Sequence, residues 1–165
     1  MLARSLTAMC LAALFAVSLL GTTAHAQNRE TPYWATLRFD EVNMRVGPSQ
    51  EYRIEWVYKR EGLPVKVLRV REGWRLVEDH EGTQGWVAAS QLSPRLGALV
   101  QGDDLADLRA EPSATAALNW RAEPGVVGEL MRCRDDYCEI DVAGRSGWIL
   151  QERLWGVGAM EPSGS

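Results

Sequence analysis

The sequence predicts an all-β protein made of two tandem copies of one small domain, each a barrel or a sandwich, with the second copy degenerate. The first observation is a recurrence at nearly fixed spacing, the signature of a repeat. Gly82, Gly85, Trp86 and Leu92 return 62 residues later as Gly144, Gly147, Trp148 and Leu154. Arg45, Pro48, Ser49 and Trp56 return at 64 as Arg109, Pro112, Ser113 and Trp120, and Gly62 returns at 63 as Gly125. The falling offset implies two one-residue deletions in the second copy, one between Trp120 and Gly125 and one between Tyr137 and Gly144. Both fall at expected turns, where length changes are tolerated. The second observation is turn chemistry about every 8–12 residues between short β-branched or aromatic runs. The third is that no window sustains a 3.6-residue apolar period.

Taken in order, residues 1–26 have the form of a secretory signal: Arg4, a 15-residue apolar run from Leu6 to Leu20, and the small-x-small pattern Ala24-His25-Ala26, which predicts a mature chain beginning at Gln27. The run is shorter than the roughly 20 apolar residues a spanning helix needs. No later stretch is long and apolar enough to span, so no stable membrane insertion is expected after signal cleavage. The first domain is placed at 34–93. Within it Ala35 to Val42, Ile54 to Tyr58, Leu63 to Arg71, Trp74 to Glu78 and the stretch after Gln84 read as about five short strands. The intervening turns carry Val46-Gly47-Pro48-Ser49, Arg60-Glu61-Gly62 and Glu72-Gly73, where proline presets φ and glycine relieves strain. After a short connector the second domain is placed at 98–157. There Cys138, Ile140 and Val142 alternate with Tyr137, Glu139 and Asp141, the pattern of a half-buried antiparallel strand. The small polar tail, 158–165, is expected to be disordered.

Charge and cysteine use limit the function classes. The chain has 18 basic and 22 acidic residues, net −4, and signal removal takes one arginine and no acid. That leaves no basic footprint for nucleic acid. Cys133 and Cys138 flank Arg134-Asp135-Asp136-Tyr137, a loop that suits a hairpin turn whose strands a disulfide would staple in an exported chain, where disulfides persist. We therefore expect a structural disulfide. The spacing is not Cys-x-x-Cys, and nothing nearby completes a four-ligand metal site, so neither a redox nor a metal role is expected, and no cofactor. His80 is the only histidine after the signal. Gly144-Arg145-Ser146-Gly147 is not a nucleophile elbow, because Trp148 stands where that motif needs its second glycine. No catalytic residues are expected.

The motif Asn43-Met44-Arg45-Val46-Gly47-Pro48-Ser49, followed by Gly73-Trp74 and Gly85-Trp86-Val87, resembles the bacterial SH3-like (SH3b) family over nearly the whole first repeat. In the second, Asp107-Leu108-Arg109-Ala110-Glu111-Pro112-Ser113 keeps the arginine, proline and serine, while Glu111 replaces the glycine and leaves the turn type open. The resemblance implies two five-stranded, partly open SH3-like β-barrels serving as a binding or targeting module in an exported, periplasmic or secreted protein. Cell-wall peptides are a recurring ligand class of that family. The partner is then a cell-wall (peptidoglycan) peptide or another extended peptide. The alternative is an envelope protein, with the chain a periplasmic scaffold that has no wall ligand.

Aromatic residues carry the site expectation. The chain has seven tryptophans and four tyrosines, residue types that suit peptide grooves apolar at one end and wet at the other. Trp56 and Trp120 are expected in the cores, which need bulky filling, and Trp34 and Trp155 as lids near the domain ends. Tyr137 shares a face with Glu139 and Asp141, which should be the wet face. Tyr137 aligns with Trp74, so Trp74 should point outward, with Leu76 beside it. The family resemblance agrees, since the tryptophan opening this strand lines the peptide groove of SH3 domains. The ligand-binding residues are thus expected to be Trp74, Trp86 and, from the facing loop, Tyr52.

Overall fold

The computed structural model describes residues 29–158, so the expected signal at 1–26 and all of the expected tail beyond Gly158 lie outside the described residues. The first half holds β1 (Tyr33–Leu37), β2 (Val42–Arg45), β3 (Ile54–Tyr58), β4 (Pro64–Arg71), β5 (Trp74–Glu78), β6 (Gln84–Ala88) and β7 (Leu92–Ser93). The second holds β8 (Gly97–Val100), β9 (Ala106–Arg109), β10 (Leu118–Ala122), β11 (Val127–Arg134), β12 (Tyr137–Val142), β13 (Arg145–Leu150) and β14 (Leu154–Trp155). Each half forms one seven-stranded antiparallel sheet, ordered β3-β2-β6-β5-β4-β1-β7 and β10-β9-β13-β12-β11-β8-β14. The second order is the first with every strand advanced by seven, so the sequence repeat is a repeat of topology.

Seven strands arise where about five were expected for two reasons. The stretch 35–42 divides into β1 and β2, because β1 pairs with β4 and β7 whereas β2 pairs with β3 and β6. The chain crosses between those partners at 38–41 and leaves Phe39 exposed. A single 3-10 turn, Ala89–Gln91, then delivers the two-residue β7.

One expected deletion falls in the β12–β13 hairpin, the counterpart of β5–β6, and the other in the connection from β10 to β11, the counterpart of β3 to β4, strands that are not neighbours in the sheet. Between the paired residues Glu78 and Gln84 the first copy has five residues, and between their counterparts Asp141 and Ser146 the second has four. The shorter turn has Ala143 at φ 53° and Gly144 at φ 84°, the two left-handed residues that fit the twist of a tight hairpin. The longer turn is organised by Asp79, whose Oδ1 accepts the N–H groups of Glu81 (3.0 Å) and Thr83 (2.9 Å). Its Oδ2 accepts the Tyr58 hydroxyl at 2.9 Å, inside the first core. In the second copy Ala122 and Val142 replace Tyr58 and Asp79, so both partners of the buried bond are lost together with the extra residue. Replacing both partners by apolar groups avoids the desolvation cost of leaving one unpaired.

The first core gathers Leu37, Val42, Met44, Val65, Val67, Val77 and Val87; the second gathers Leu108, Leu130, Cys138, Ile140 and Ile149. Cys138 and Ile140 are fully buried and Val142 packs against them, as the alternation predicts. Cys133 and Cys138 stand opposite each other in β11 and β12 and form the expected disulfide, with Cα atoms 4.0 Å apart.

The two halves are packed together. Leu99, Val127 and Trp155 of the second half join the first core. Trp34 and Trp155, expected as lids, meet edge to face across the junction, centroids 5.0 Å apart at 85°. Gly97 permits this approach: a Cβ there would sit 2.5 Å from the Gly62 carbonyl oxygen and 2.7 Å from the Thr36 methyl. Arg60 donates to the Gly125 carbonyl across the same boundary.

One core expectation fails. Trp56 lies on the edge strand β3 and is 54% exposed. Its counterpart Trp120 is half-buried against the second core, donates its indole N–H to the Ser146 carbonyl (3.2 Å) and lies under the Arg145 guanidinium at 4.9 Å. Thr83 aligns with Arg145 and is too short to cover Trp56 in the same way.

Candidate aromatic binding face

β5 and β6 place two of the three expected residues on one face. Val77, Gly85 and Val87 are buried, and the alternate positions Trp74, Leu76, Trp86 and Ala88 form a half-buried outer row. Leu76 stands opposite Trp86, and Trp74 opposite Ala88, so the two tryptophans are diagonal neighbours within reach of one ligand. Arg71 and Arg69 of β4 stand opposite Trp74 and Leu76, which gives the row a basic border.

The backbone of Tyr52 is tied to the strand beside Trp86 by Arg45. Arg45 on β2 pairs with Trp86, and its Nη1 donates to the carbonyls of Gln50 (3.0 Å) and Tyr52 (2.6 Å), fixing the loop between β2 and β3. The Tyr52 ring is 48% exposed and lies flat on Gly47, where a Cβ would be 2.6 Å from three ring atoms. The second copy explains why Glu111 is tolerated. Ala116 there replaces Tyr52, so no ring needs the bare glycine. The loop backbone is otherwise the same: Val46, Ser49 and Tyr52 N–H groups bond to Arg53, Gly47 and Ser49 carbonyls, and Ala110, Ser113 and Ala116 repeat the pattern with Ala117, Glu111 and Ser113. Arg109 keeps the clamp, with Nη1 donating to the Ala116 carbonyl at 2.9 Å. The sequence marked Arg45 and Arg109 as recurrent but not as loop clamps. The joint replacement of Gly47 and Tyr52 was legible as a signal only once contact between them was known.

The same face of the second half is closed over Trp148, though not over Tyr137 and Leu150, which stand where Trp74 and Ala88 do. Glu139 occupies the place of Leu76, opposite Trp148, and its Oε2 accepts Arg132 Nε at 2.8 Å. Arg132 and Arg134 then lie over the Trp148 ring at 5.3 and 5.4 Å, a cation–π cover that leaves the ring 6% exposed. Leu76 offers Arg69 no such anchor, which keeps Trp86 half-open. Elsewhere a larger cleft of about 850 Å³ runs between the halves, lined by Arg38, Glu61, Arg95, Glu129 and Asp141 among others. Among the described residues no cluster of three or more His, Cys, Asp or Glu could hold a metal, and no helix is long and apolar enough to cross a membrane.

Comparison with known proteins finds the family described as the bacterial SH3 domain twice, at residues 39–94 and 102–156, more than half of the chain. No curated protein matches. Solved structures with partial likeness include NlpC2 from Trichomonas vaginalis, 17% identical over 76% of this chain and 48% of that one, with a TM-score of 0.34. NlpC1 from the same organism is 18% identical over 75% and 45%, with a TM-score of 0.34. An NlpC/P60 family protein from Bacillus cereus is 13% identical over 74% and 56%, with a TM-score of 0.33. The chain thus spans about half the length of these structures.

Proposed function

The chain belongs to the bacterial SH3 domain family, and from that premise we propose that it is an exported, non-catalytic binding module whose first half takes an extended peptide, of cell-wall origin, across the face of Trp74 and Trp86. The observation that carries this reading is the outer row Trp74, Leu76, Trp86 and Ala88, to which the reading adds Tyr52 from the loop that Arg45 clamps. Large aromatic rings on a rigid sheet bury much ligand surface at low entropic cost. The two arginines of β4 suit a peptide bearing carboxylates. Two domains, 34–93 and 98–157, act in this reading as one rigid body, because residues of the second half complete the first core. Export follows from the signal-like N-terminus and agrees with the disulfide.

Sedimentation of the purified mature protein with isolated cell wall tests this reading. Co-sedimentation that Trp74→Ala abolishes is expected. Capture of an envelope protein with no wall binding would replace the peptide ligand by the scaffold role. N-terminal sequencing of protein from the producing cell should begin at Gln27, and an intact Met1 would refute export by cleavage.

A further inference from the structure

The second half, closed over Trp148, keeps an open cavity of about 420 Å³ beside it. Tyr137, Leu105 and Leu150 supply an apolar wall, and Leu105 and Leu150 are both exposed. Three arginines, Arg109, Arg121 and Arg153, line the same space with two aspartates, Asp104 and Asp107. The guanidiniums are held in place. Arg109 Nη2 meets Asp107 Oδ2 at 2.7 Å, and Arg121 Nε meets Asp107 Oδ1 at 2.8 Å. Arg153 donates through Nε to the Gln101 carbonyl (3.0 Å) and through Nη2 to the Asp104 carbonyl (2.8 Å), with the Asp104 carboxylate at 3.1 Å. The hydrogen bond from Arg121, aided by the charges of Arg121, Arg109 and Arg153, holds the Asp107 carboxyl below its ordinary value. Among the described residues both Nη atoms of Arg121, and Nη1 of Arg153, carry no hydrogen bond. The cavity therefore has one positive charge in excess and unused donors on fixed guanidiniums.

The first half lacks this arrangement. By the repeat register Asn43, Val57 and Gln91 stand where Asp107, Arg121 and Arg153 do. Arg121 and Arg153 thus belong to the second copy, whereas Arg109 has its counterpart in Arg45.

We propose that this cavity is a second ligand site, different in chemistry from the aromatic face of the first half, that takes the carboxylate of a short peptide. Arg121 and Arg153 hold the carboxylate, and Tyr137, Leu105 and Leu150 cover the residue that carries it. A single excess charge matches a monoanion, and the paired N–H groups of a guanidinium match the two oxygens of a carboxylate. The inference stands on the second half alone and does not need the first-half groove.

The test is a nitrogen–proton NMR titration of the full mature protein with acetyl-Ala-Ala bearing a free carboxylate, with its C-terminal amide, and with inorganic phosphate. The acid is expected to shift the Leu105, Arg121 and Leu150 signals saturably. The amide, or the acid on Arg121→Gln, should bind about tenfold or more weakly, because a charge-assisted bond is lost. Added salt should weaken binding to the unaltered protein, a readout that needs no variant. Trp74→Ala should bind the acid as the unaltered protein does, so failure of the first-half reading leaves this result intact. Absence of saturable shifts, equal binding of acid and amide, tighter binding of phosphate, or indifference to salt or to Arg121→Gln would overturn the proposal.

Discussion

Removing the hydroxyl of Tyr58 is expected to destabilise the protein far beyond the loss of one atom. Tyr58 and Asp79 are 5% and 4% exposed, and their bond is 2.9 Å long. Tyr58→Phe leaves Asp79 Oδ2 buried without its hydroxyl donor, while Oδ1 keeps the Glu81 and Thr83 amides. A buried hydrogen bond to a charged acceptor is worth about 1.5–3 kcal/mol, so a loss of about 2 kcal/mol is expected by urea denaturation. Asp79→Ala, which frees three donors at once, should cost about 3 kcal/mol. The double variant should cost less than the sum by about 1.5 kcal/mol, since the bond is lost only once. The pH dependence has a definite sign. Burial, and then the hydrogen bond to Asp79 with the charges of Asp79 and Glu81, push the Tyr58 hydroxyl above its ordinary value. A raised folded value contributes stability that is complete below about pH 10, where the unfolded tyrosine titrates, and is lost as pH rises further. Tyr58→Phe should remove that alkaline loss. A cost under about 0.5 kcal/mol with no coupling to Asp79 would refute the reasoning.

Gly47→Ala should cost about 1 kcal/mol by pushing the Tyr52 ring off the loop, and should cost almost nothing in a Tyr52→Ala background, as in the second copy; equal costs in both backgrounds would contradict the contact. Leu76→Glu should let Arg69 fold over Trp86, as Glu139 does with Arg132, and protect the Trp86 ring from fluorescence quenchers; unchanged quenching would count against the anchor. Reduction of the Cys133–Cys138 bridge should lower stability by about 2 kcal/mol, as expected for a short loop, and unreduced denatured protein should show no titratable thiol from this pair. Trp155→Ala should split one cooperative thermal transition into two, because Trp155 joins the second half to the first core and to Trp34; a single transition would argue that the halves are coupled elsewhere.

The repeat was legible because glycine and tryptophan hold positions that side-chain exchange cannot fill, so Gly85–Trp86 and Gly147–Trp148 survive a divergence that erases most else. Strand bounds were legible where a run ends in turn chemistry: Ile54–Tyr58 and Trp74–Glu78 are found as expected. The division of 35–42 was not, because the crossing at Arg38 to Glu41 depends on which strands pair, a non-local fact. Trp56 shows a similar limit. Composition favours a bulky residue inside, but whether a ring is covered depends on a residue such as Arg145, reached from another hairpin. Outward placement of Trp74 was legible through Tyr137 and its acidic neighbours, since period-two alternation fixes faces. The closing of Trp148 by Arg132 and Arg134 was not, because it needs the register that sets Glu139 opposite the ring. Nor was the arginine cavity, which joins residues from Asp104 to Arg153.

The central claim is that the first half binds peptide on its outer aromatic row. Its most direct measurement is calorimetric titration of peptides released from isolated cell wall into the mature protein and into Trp74→Ala, with thermal unfolding of both followed in parallel. Trp74→Ala is expected to lose at least about 1–2 kcal/mol of binding, roughly tenfold in affinity, as an aromatic hot spot gives. Its stability is expected to change by less than about 0.5 kcal/mol, because the ring packs on the sheet's outer face rather than in the core. Unchanged binding, or unfolding by several kcal/mol, would contradict the claim.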